Sequence, residues 1–532
     1  MRFFLEFTTI NYKMRHALVM ELSRIFPGSA FAGCASSYQD VAYHFLCTQK
    51  DIQYQFIDNH RDLCNRILKE EPDYKLLKQF EETLPEKSLW RFIAMDREWG
   101  YQFCKGVYMP ASYIQTINTQ DNILRTASGL IKYYQKVIEE FKPDVFIPAN
   151  GQNSMSCPII DQVCQNMNVL ILMPETIRTL NYMVLTDNRQ YIFTQVDETC
   201  RQLMNGALKT DMSSGEKCYQ QIMSDKENQN YFNISRIDHF RSRLPWLKFV
   251  FLSLKSIMGQ TKRWFRERRI RASDTIFKQP RGIKTSLYNI FYAVLVHYRR
   301  VQLMNPKFYH AFHPDEKYVY FPLHSSNEYS TQVQGTMWIN QLQVIEMLAK
   351  SIPHDWKVVV KEHPGILLWR VRPMSFYKEI KSYANVRLLS TETSSNALIS
   401  RAQMIVTIVG TTGWEAIMRG KAVISFRPNM FDVLGLNRMC TDVEELSTAI
   451  YEEVERIKKI TSEERRRRII CLLTAITQHG FWIDEPCKLS GDQECCSWEE
   501  RHRIVKPLAK AYKDYLAYRG LIPIQREEPV QV

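Results

Sequence analysis

The first group of residues with chemical potential follows a buried strand in the C-terminal half of the chain. An apolar run predicts this strand at residues 356–361, and Lys361 is its last residue. His363 and Pro364 come directly after it. In open α/β sheets, ligands bind at the carboxyl ends of the strands. An ammonium and an imidazole at such an edge could bind a phosphate group.

A second buried strand, predicted at residues 404–409, runs into a tight turn and then into a helix predicted at 414–420. The turn offers backbone N–H groups and two hydroxyls, and the dipole of the helix start favours an anion. Glu415 lies one turn deeper and could accept hydrogen bonds from ribose hydroxyls. The residues of this predicted phosphate-binding turn are Gly410, Thr411, Thr412 and Gly413.

Between the two strands, Ser394 and Ser395 predict the start of another helix, at residues 396–401, which offers a second anion site. Each element also has an ordinary structural interpretation. His363 could mark a strand exit, the serines could be N-caps, and the glycine turn could be structural. Their combination in this order favours a nucleotide-sugar site.

Residues 318–434 resemble the capsule polysaccharide biosynthesis proteins, a family that includes bacterial Kdo transferases of capsule assembly. The resemblance implies an α/β fold of the GT-B type, with two Rossmann-like domains that face each other across a cleft. It also implies a nucleotide sugar as co-substrate, with CMP-linked sugars favoured, and no bound cofactor. The matching segments are residues 320–331, 360–364, 385–389, 409–416 and 420–426.

The resemblance also implies roles for individual residues. The His-Pro motif is similar to that of bacterial sialyltransferases, so His363 is expected to contact the donor phosphate. Ser394 and Ser395 would support this contact, and Glu415 would lie near the ribose or the base.

The chain departs from the family pattern where relatives carry a Gln or aromatic run before a Pro-Glu pair. Here the sequence has His324 and Glu328. His324 either replaces a contact in the cleft or is a loop histidine at the end of a strand. Glu328 is a candidate catalytic residue.

The N-terminal half predicts a second strand–helix–strand unit, with strands at 142–148 and 169–173 and a helix at 157–167. A polar loop follows the first of these strands. It either faces the cleft and binds acceptor hydroxyls, or it is simply solvated. Its polar residues are Asn150, Gln152, Asn153 and Ser154.

Two acidic residues of the N-terminal half are candidates for a base or nucleophile. Asp96, followed by Arg97, resembles an Asp-Arg pair of related proteins; the alternative is a surface ion pair worth at most about 1 kcal/mol. Glu175 is the second candidate. Arg178 lies where the family often places an arginine, and its guanidinium would match a sugar carboxylate.

Length and composition agree with two such domains, because 532 residues with 45% hydrophobic content can bury substantial cores. Thirteen scattered cysteines without a C-x-x-C pair argue against a zinc ribbon or a secreted disulfide framework. No spaced acidic pair of the D-x-D type predicts a metal site. The expected domains are an N-terminal acceptor-side domain at 1–205, a basic helical insertion at 206–314, a nucleotide-sugar-binding domain at 315–440 and bracing helices at 441–532.

Residues 241–271 carry ten Lys or Arg residues against one Glu, which is +9 of the formal net charge of +13. Aromatic and aliphatic residues interleave with these charges. The pattern is typical of an amphipathic helix on an anionic membrane surface, and the alternative is a basic helix packed on its own protein. No recognition motif accompanies the charge, so a nucleic-acid partner is not expected. Residues 1–22 mix charge and polarity and predict no secretory signal peptide.

These observations predict a cytoplasmic glycosyltransferase of capsule or other surface polysaccharide assembly, peripheral on the cytoplasmic face of the inner membrane. It would transfer a sugar from a nucleotide donor to a glycan or glycolipid acceptor without a metal. Two alternatives stay open: a sugar-nucleotide epimerase of GT-B form, and a non-catalytic assembly or export factor.

Overall fold

Two parallel β-sheets flanked by helices form the described part of the chain. The computed structural model describes residues 1–8, 10–36, 40–96, 99–103, 119–149, 154–177, 182–190, 192–224, 283–313, 315–325, 328–363, 366, 371–482 and 496–523. The predicted basic segment 241–271 lies outside the described residues. So do the following residues named above: Arg97, Asn150, Gln152, Asn153, Arg178 and Pro364.

The first sheet has five parallel strands in the order β3-β2-β1-β4-β5. Apolar residues alternate between its two faces, so that Phe4 and Phe146 pack in one helix layer while Phe3 and Leu5 pack in the other. Its strands are β1 (Arg2–Thr8), β2 (Ala30–Ser36), β3 (Ile57–Asn59), β4 (Val145–Ile147) and β5 (Leu170–Ile171). Its helices are α1 (Tyr12–Ile25), α2 (Val41–Cys47), α3 (His60–Ile67), α4 (Tyr74–Thr83), α5 (Leu89–Ala94), α6 (Gln120–Phe141) and α7 (Ser156–Asn166).

The second sheet has six parallel strands in the order β10-β9-β8-β11-β12-β13. Its central strands are buried on both faces, which explains their continuous apolar sequence. Its strands are β8 (Lys317–Pro322), β9 (Trp356–Lys361), β10 (Val386–Leu389), β11 (Met404–Thr407), β12 (Ala422–Ser425) and β13 (Arg438–Met439).

Helices cover both faces of the second sheet and fill the linking segments. Those after the first sheet are α8 (Thr194–Met204), α9 (Ser213–Ser224) and α10 (Ile283–Leu303). Those between the strands of the second sheet are α11 (Gln341–Ser351), α12 (Met374–Ser382), α13 (Ser395–Arg401) and α14 (Thr411–Met418). The C-terminal ones are α15 (Leu446–Lys458), α16 (Ser462–His479) and α17 (Trp498–Tyr518).

A small antiparallel sheet joins the end of the chain to its first half. It contains β6 (Met173–Ile177), β7 (Tyr182–Thr186) and β14 (Phe481–Trp482). Helix α17 then packs against α1, where His502 Nδ1 lies 2.7 Å from Glu21 Oε1. Tyr512 donates a hydrogen bond to the carbonyl of Leu172 over 3.2 Å.

The predicted α/β fold with two Rossmann-like domains and C-terminal bracing helices is therefore confirmed. The predicted domain boundaries stay predictions. Helix α10 lies inside the predicted insertion, yet its residues Val296 and Leu303 pack in the core of the second sheet. Among the described residues, no helix is long and apolar enough to cross a bilayer.

Helix α8 places a titratable carboxyl beside the segment that follows β12. Burial raises the pKa of Asp197 to about 7, the nearby Asp432 raises it further, and Arg201 opposes both. The carboxylate of Asp432 in turn holds the loop after β12, because it accepts hydrogen bonds from the backbone N–H of Asn429 (2.9 Å) and the side-chain amide of Asn437 (2.7 Å).

We predict that the contribution of Asp197 to the free energy of unfolding falls as the pH rises from about 4 to about 7. An unfolded aspartate titrates near pH 4, so the folded protein holds a proton that the unfolded chain releases across this interval. A tenfold change in proton affinity corresponds to about 1.4 kcal/mol, which gives a loss of about 2–4 kcal/mol over the interval. Urea unfolding of Asp197→Asn at pH 5 and pH 8 should lack most of this loss. The control is the same change at the exposed Asp315; an unchanged pH slope in Asp197→Asn would contradict the prediction.

Candidate functional site

The strand order of the second sheet reverses at β8. The chain runs from β8 outward to β9 and β10, and then returns to the other side of β8 to form β11. A crevice opens outside the carboxyl ends of the strands at such a switch point, and ligands of this fold bind there. His324 follows β8 and Gly410 follows β11, so both predicted site residues lie at this crevice.

A buried ion pair supports the predicted histidine. Arg372 Nε donates to Glu362 Oε2 over 2.8 Å, and the hydroxyl of Tyr377 donates to the same oxygen over 2.7 Å. The other oxygen of Glu362 accepts the backbone N–H of His363 over 2.7 Å. Arg372 Nη2 also donates to the carbonyl of His324 over 2.5 Å. The pair therefore ties the end of β9 to the end of β8.

Burial of the His363 imidazole favours its neutral form. Burial lowers the pKa of His363 below the ordinary range of histidine, although the carboxylates of Glu328 and Glu362 oppose this effect. Arg372 and Lys361 lower it further. A neutral imidazole can donate one N–H to a ligand, and a phosphate group bound beside it would favour its protonation.

Lys361 is the cation nearest to the predicted serine pair. The residue is only 5% exposed, and its ammonium donates to Ser395 Oγ over 2.7 Å. Burial lowers the pKa of Lys361 to about 8, and Glu415 opposes the shift. Burial in turn raises the pKa of Glu415, against the charges of Arg419 and Lys361. Lys361, Ser395 and Glu415 thus form one electrostatic cluster.

Ser394 has a different role from its neighbour. It is the N-cap of α13, and its hydroxyl accepts the backbone N–H of Ala397 over 3.3 Å. Ser394 is exposed, whereas Ser395 is half-buried. Ser395 of the predicted pair therefore reaches the cation cluster through its side chain, and Ser394 supports the helix start.

The glycine turn is the start of a helix. We predicted a helix from residue 414, but α14 begins at Thr411, so the prediction of its start was wrong. Gly410 is the N-cap, and Thr411, Thr412 and Gly413 form the first helical turn. The first backbone N–H groups of a helix lack a carbonyl partner within it, so those of Thr411 and Thr412 can bind an anion.

Side-chain packing beneath the turn explains why residue 413 is a glycine. A Cβ at Gly413 would lie 2.7 Å from the ring of Phe431, so a larger residue would displace that ring. The backbone N–H of Gly410 donates to Asn429 Oδ1 over 3.3 Å. The loop after β12 therefore holds the helix start in place.

His324 makes the contacts of a structural histidine. Its Nε2 lies 3.0 Å from the hydroxyl of Thr407, and its backbone N–H donates to Gln341 Oε1 over 2.7 Å. Burial lowers the pKa of His324 to about 3, with His363 and Arg372 adding to the effect. It borders the site, because a Cβ at Gly410 would lie 3.4 Å from its Nε2. Its role in binding an acceptor stays a prediction.

Asp96 joins distant segments through its carboxylate. Its two oxygens accept the backbone N–H groups of Trp99 (3.0 Å) and Met155 (2.9 Å). Its backbone carbonyl accepts a hydrogen bond over 2.7 Å from Gln332, which lies between β8 and β9 of the second sheet. These contacts are those of a residue that positions loops, and its predicted role as a base stays a prediction. Glu328, by contrast, is exposed and acts electrostatically on His363.

The sequence reasoning missed two buried charged residues that interact with each other, Glu6 on β1 and Arg189 after β7. Glu6 lies within the apolar run of β1, and its carboxylate accepts the backbone N–H of Ala149 over 3.0 Å. Burial raises the pKa of Glu6, and Arg189 and Arg15 oppose it. The carbonyl of Arg189 accepts a hydrogen bond from Gln334 over 3.1 Å.

Signals for these residues were weak, because one charge within an apolar strand resembles an ordinary exposed position. A Glu in the middle of the buried run Phe3–Phe7 could nevertheless have been recognised as a polar group that requires partners. Glu362 offered the same signal next to His363. Its partner Arg372 lies ten residues further along, and no local pattern connects the two.

Comparison with known proteins gives one family match. Residues 283–450 match the model of a family described as capsule polysaccharide biosynthesis protein. No curated protein matches the chain. The matched segment contains the second sheet, from β8 to β13, together with α10.

Several solved structures show weak similarity. A beta Kdo 2,4 transferase, KpsC from Thermosulfurimonas dismutans, is 13% identical with a TM-score of 0.31, over 63% of this chain and 79% of that chain. A UDP-GlcNAc 2-epimerase from Neisseria meningitidis is 11% identical with a TM-score of 0.23, over 90% and 99%. Likenesses at these TM-scores carry no conclusion about function.

We predict that Glu362→Gln destabilises the protein by about 3–5 kcal/mol, because it leaves the buried guanidinium of Arg372 without its carboxylate. Urea unfolding followed by circular dichroism measures this change. The control is Asp355→Asn, which removes the partner of Lys317 in an exposed pair and should cost far less. Equal costs for the two variants would show that the buried pair is not the support described here.

Proposed function

We propose that the chain is a glycosyltransferase of capsule or other surface polysaccharide assembly, and the match of residues 283–450 to the capsule polysaccharide biosynthesis family supports this proposal. The donor is a nucleotide sugar, with a CMP-linked acidic sugar such as Kdo favoured. The acceptor is a glycan or glycolipid. The transfer uses no metal and no bound cofactor.

One observation carries this proposal: a cation, a neutral imidazole and a helix start converge at the switch point of the second sheet. Lys361 donates to Ser395, His363 is fixed by the buried pair below it, and Gly410 is the N-cap of α14. Together they provide positive charge, a hydrogen-bond donor and backbone N–H groups of a helix start. This set of groups suits the phosphate of a nucleotide sugar.

The proposed reaction is a displacement at the anomeric carbon of the donor sugar. The acceptor hydroxyl oxygen forms a bond to this carbon, and the bond from the carbon to the phosphate oxygen breaks. The bonding electrons leave with the nucleotide phosphate, whose added charge His363 and Lys361 stabilise. The hydroxyl proton passes to a base, for which Glu328 and Asp96 remain the candidates.

The enzyme acts at a membrane in this proposal. The support is the sequence of residues 241–271, whose net charge of +9 and interleaved aromatic residues suit an anionic lipid surface. A glycolipid acceptor would be presented at such a surface. The corresponding location is the cytoplasmic face of the inner membrane.

We predict that the purified protein binds CMP selectively over UDP, GDP and ADP, and that His363→Ala loses this binding and sugar transfer while it keeps its circular dichroism spectrum. Calorimetric titration measures the binding. His354→Ala is the matched control, because His354 is exposed in the loop before β9. Transfer by His363→Ala at the wild-type rate would refute the role of this residue.

The same titrations separate the alternatives. Conversion of a nucleotide sugar without any acceptor would identify an epimerase. Binding of none of the four nucleotides would favour a non-catalytic assembly or export factor. Selective binding of UDP would keep the site but exclude the CMP-linked donor.

We further predict that nucleotide affinity falls as the pH rises from 7 to 9. Lys361 has a pKa of about 8, so its ammonium is mostly charged at pH 7 and mostly neutral at pH 9. Loss of this charge should weaken binding of the phosphate by up to about tenfold. Lys361→Arg keeps its charge and should bind with little dependence on pH, as measured by calorimetry in the same buffers. A wild-type affinity that does not change with pH would contradict the role of Lys361.

A further inference from the structure

Helix α10 (Ile283–Leu303) has two apolar faces, but only one of them packs on the described part of the protein. On the inner face, Val296 and Leu303 join the core of the second sheet. Arg299 lies on the same face, and its guanidinium donates to the carbonyl of Val371 over 3.3 Å. The helix is thus fixed to the domain through one side.

The outer face of α10 exposes large apolar side chains to solvent. Phe291 is 64% exposed, Val294 40%, Tyr298 54% and Val301 51%. At about 100° per residue, these four residues fall within an arc of about 80°, roughly opposite the buried residues of the inner face. We call these four residues the α10 stripe. A helix that is apolar on both sides is normally covered on both sides.

The composition of the sequence around α10 indicates what covers the stripe. Residues 275–314 contain no Asp or Glu. Apart from Arg299, which is buried on the inner face, the same residues contain five basic side chains, at Lys278, Arg281, Lys284, Arg300 and Lys307. Apolar side chains in a basic setting are typical of helices that lie in the interface of an anionic membrane. A tyrosine such as Tyr298 suits that interface, because it has an apolar ring and a polar hydroxyl.

A second copy of the chain fits this face less well. Two copies related by a twofold axis would place the same surface against itself, and therefore one acid-free basic segment against another. Like charges at close range oppose such contact. Anionic lipid headgroups supply the opposite charge and an apolar layer beneath it.

We propose that the α10 stripe inserts into an anionic lipid surface. This contact would orient the domain of the second sheet on the membrane. This inference rests on the proposed membrane association but names a different surface, one formed by residues 291–301. The bound helix would lie in the plane of the interface, with its inner face still packed on the second sheet.

The test is co-sedimentation of the full-length protein with vesicles of phosphatidylcholine and phosphatidylglycerol (about 3:1), compared with vesicles of phosphatidylcholine alone. The variant is the double substitution Phe291→Ser and Tyr298→Ser. The matched control is Tyr451→Ser, since Tyr451 is an equally exposed aromatic residue (57%) on α15. We expect binding to the anionic vesicles, unchanged in the control and weakened at least about tenfold in the double variant.

Three results would overturn the inference. The double variant could bind the anionic vesicles as tightly as the wild-type protein. Its thermal midpoint could fall by several degrees relative to the control, which would mean that another part of the chain covers the stripe. Light scattering could detect a wild-type dimer that the double variant dissociates, which would mean that a second copy covers it.

Failure of this inference and failure of the proposed function give different results. Nucleotide binding in solution does not require the α10 stripe, so the double variant should titrate with CMP as the wild-type protein does. Loss of vesicle binding with intact nucleotide binding supports the stripe as a membrane surface. Vesicle binding that the double variant loses, in a protein that binds no nucleotide, would keep the stripe and remove the glycosyltransferase proposal.

Discussion

The ion pair between Glu362 and Arg372 is the interaction on which the candidate site depends. Both side chains are buried, so each charge would carry a large desolvation cost without the other. The pair also uses its remaining hydrogen-bonding capacity, on the backbone of His363, the carbonyl of His324 and the hydroxyl of Tyr377. It therefore fixes two strand ends that would otherwise continue as free loops. The chemistry of the site begins from this fixed base.

Burial at the site sets which groups are charged. The same low-polarity surroundings that favour the neutral form of His363 also bring the pKa of Lys361 near the physiological range. A phosphate ligand would reverse part of both effects, because an anion stabilises the charged forms of its neighbours. The side chains of the site therefore carry less charge by themselves than they would beside a phosphate. This arrangement limits the cost of keeping cations together in a buried crevice.

Local patterns in the sequence predicted the elements that carry the site. The run at residues 356–361 forms a strand with the predicted bounds, and Ser394 and Gly410 both precede helices. The start of α14 was predicted at residue 414 instead of 411, because two threonines beside glycines resemble a turn as much as a helix start. Periodicity and turn chemistry act within a few residues, so they locate elements but not their neighbours.

Such local patterns could not predict contacts between residues that lie far apart in the sequence. Asp96 binds the backbone at Met155 and receives a hydrogen bond from Gln332, which lies 236 residues away. Arg372 donates to Glu362 across a loop. Glu6 and Arg189 come close together only when the domain of the first sheet has folded. In each case a single charged residue gave the only signal, namely a charge in or beside an apolar run. The partner could be identified only from the tertiary structure.

The return of the C-terminal segment to the first half of the chain has a consequence for biosynthesis. Strand β14 pairs with β7, and α17 packs on α1. The domain of the first sheet is therefore complete only after nearly the whole chain has left the ribosome. At a synthesis rate of about 5–20 residues per second, the roughly 470 residues between α1 and α17 take on the order of a minute. During that time the apolar surface of α1 has no native cover, which makes the nascent protein a natural client of chaperones.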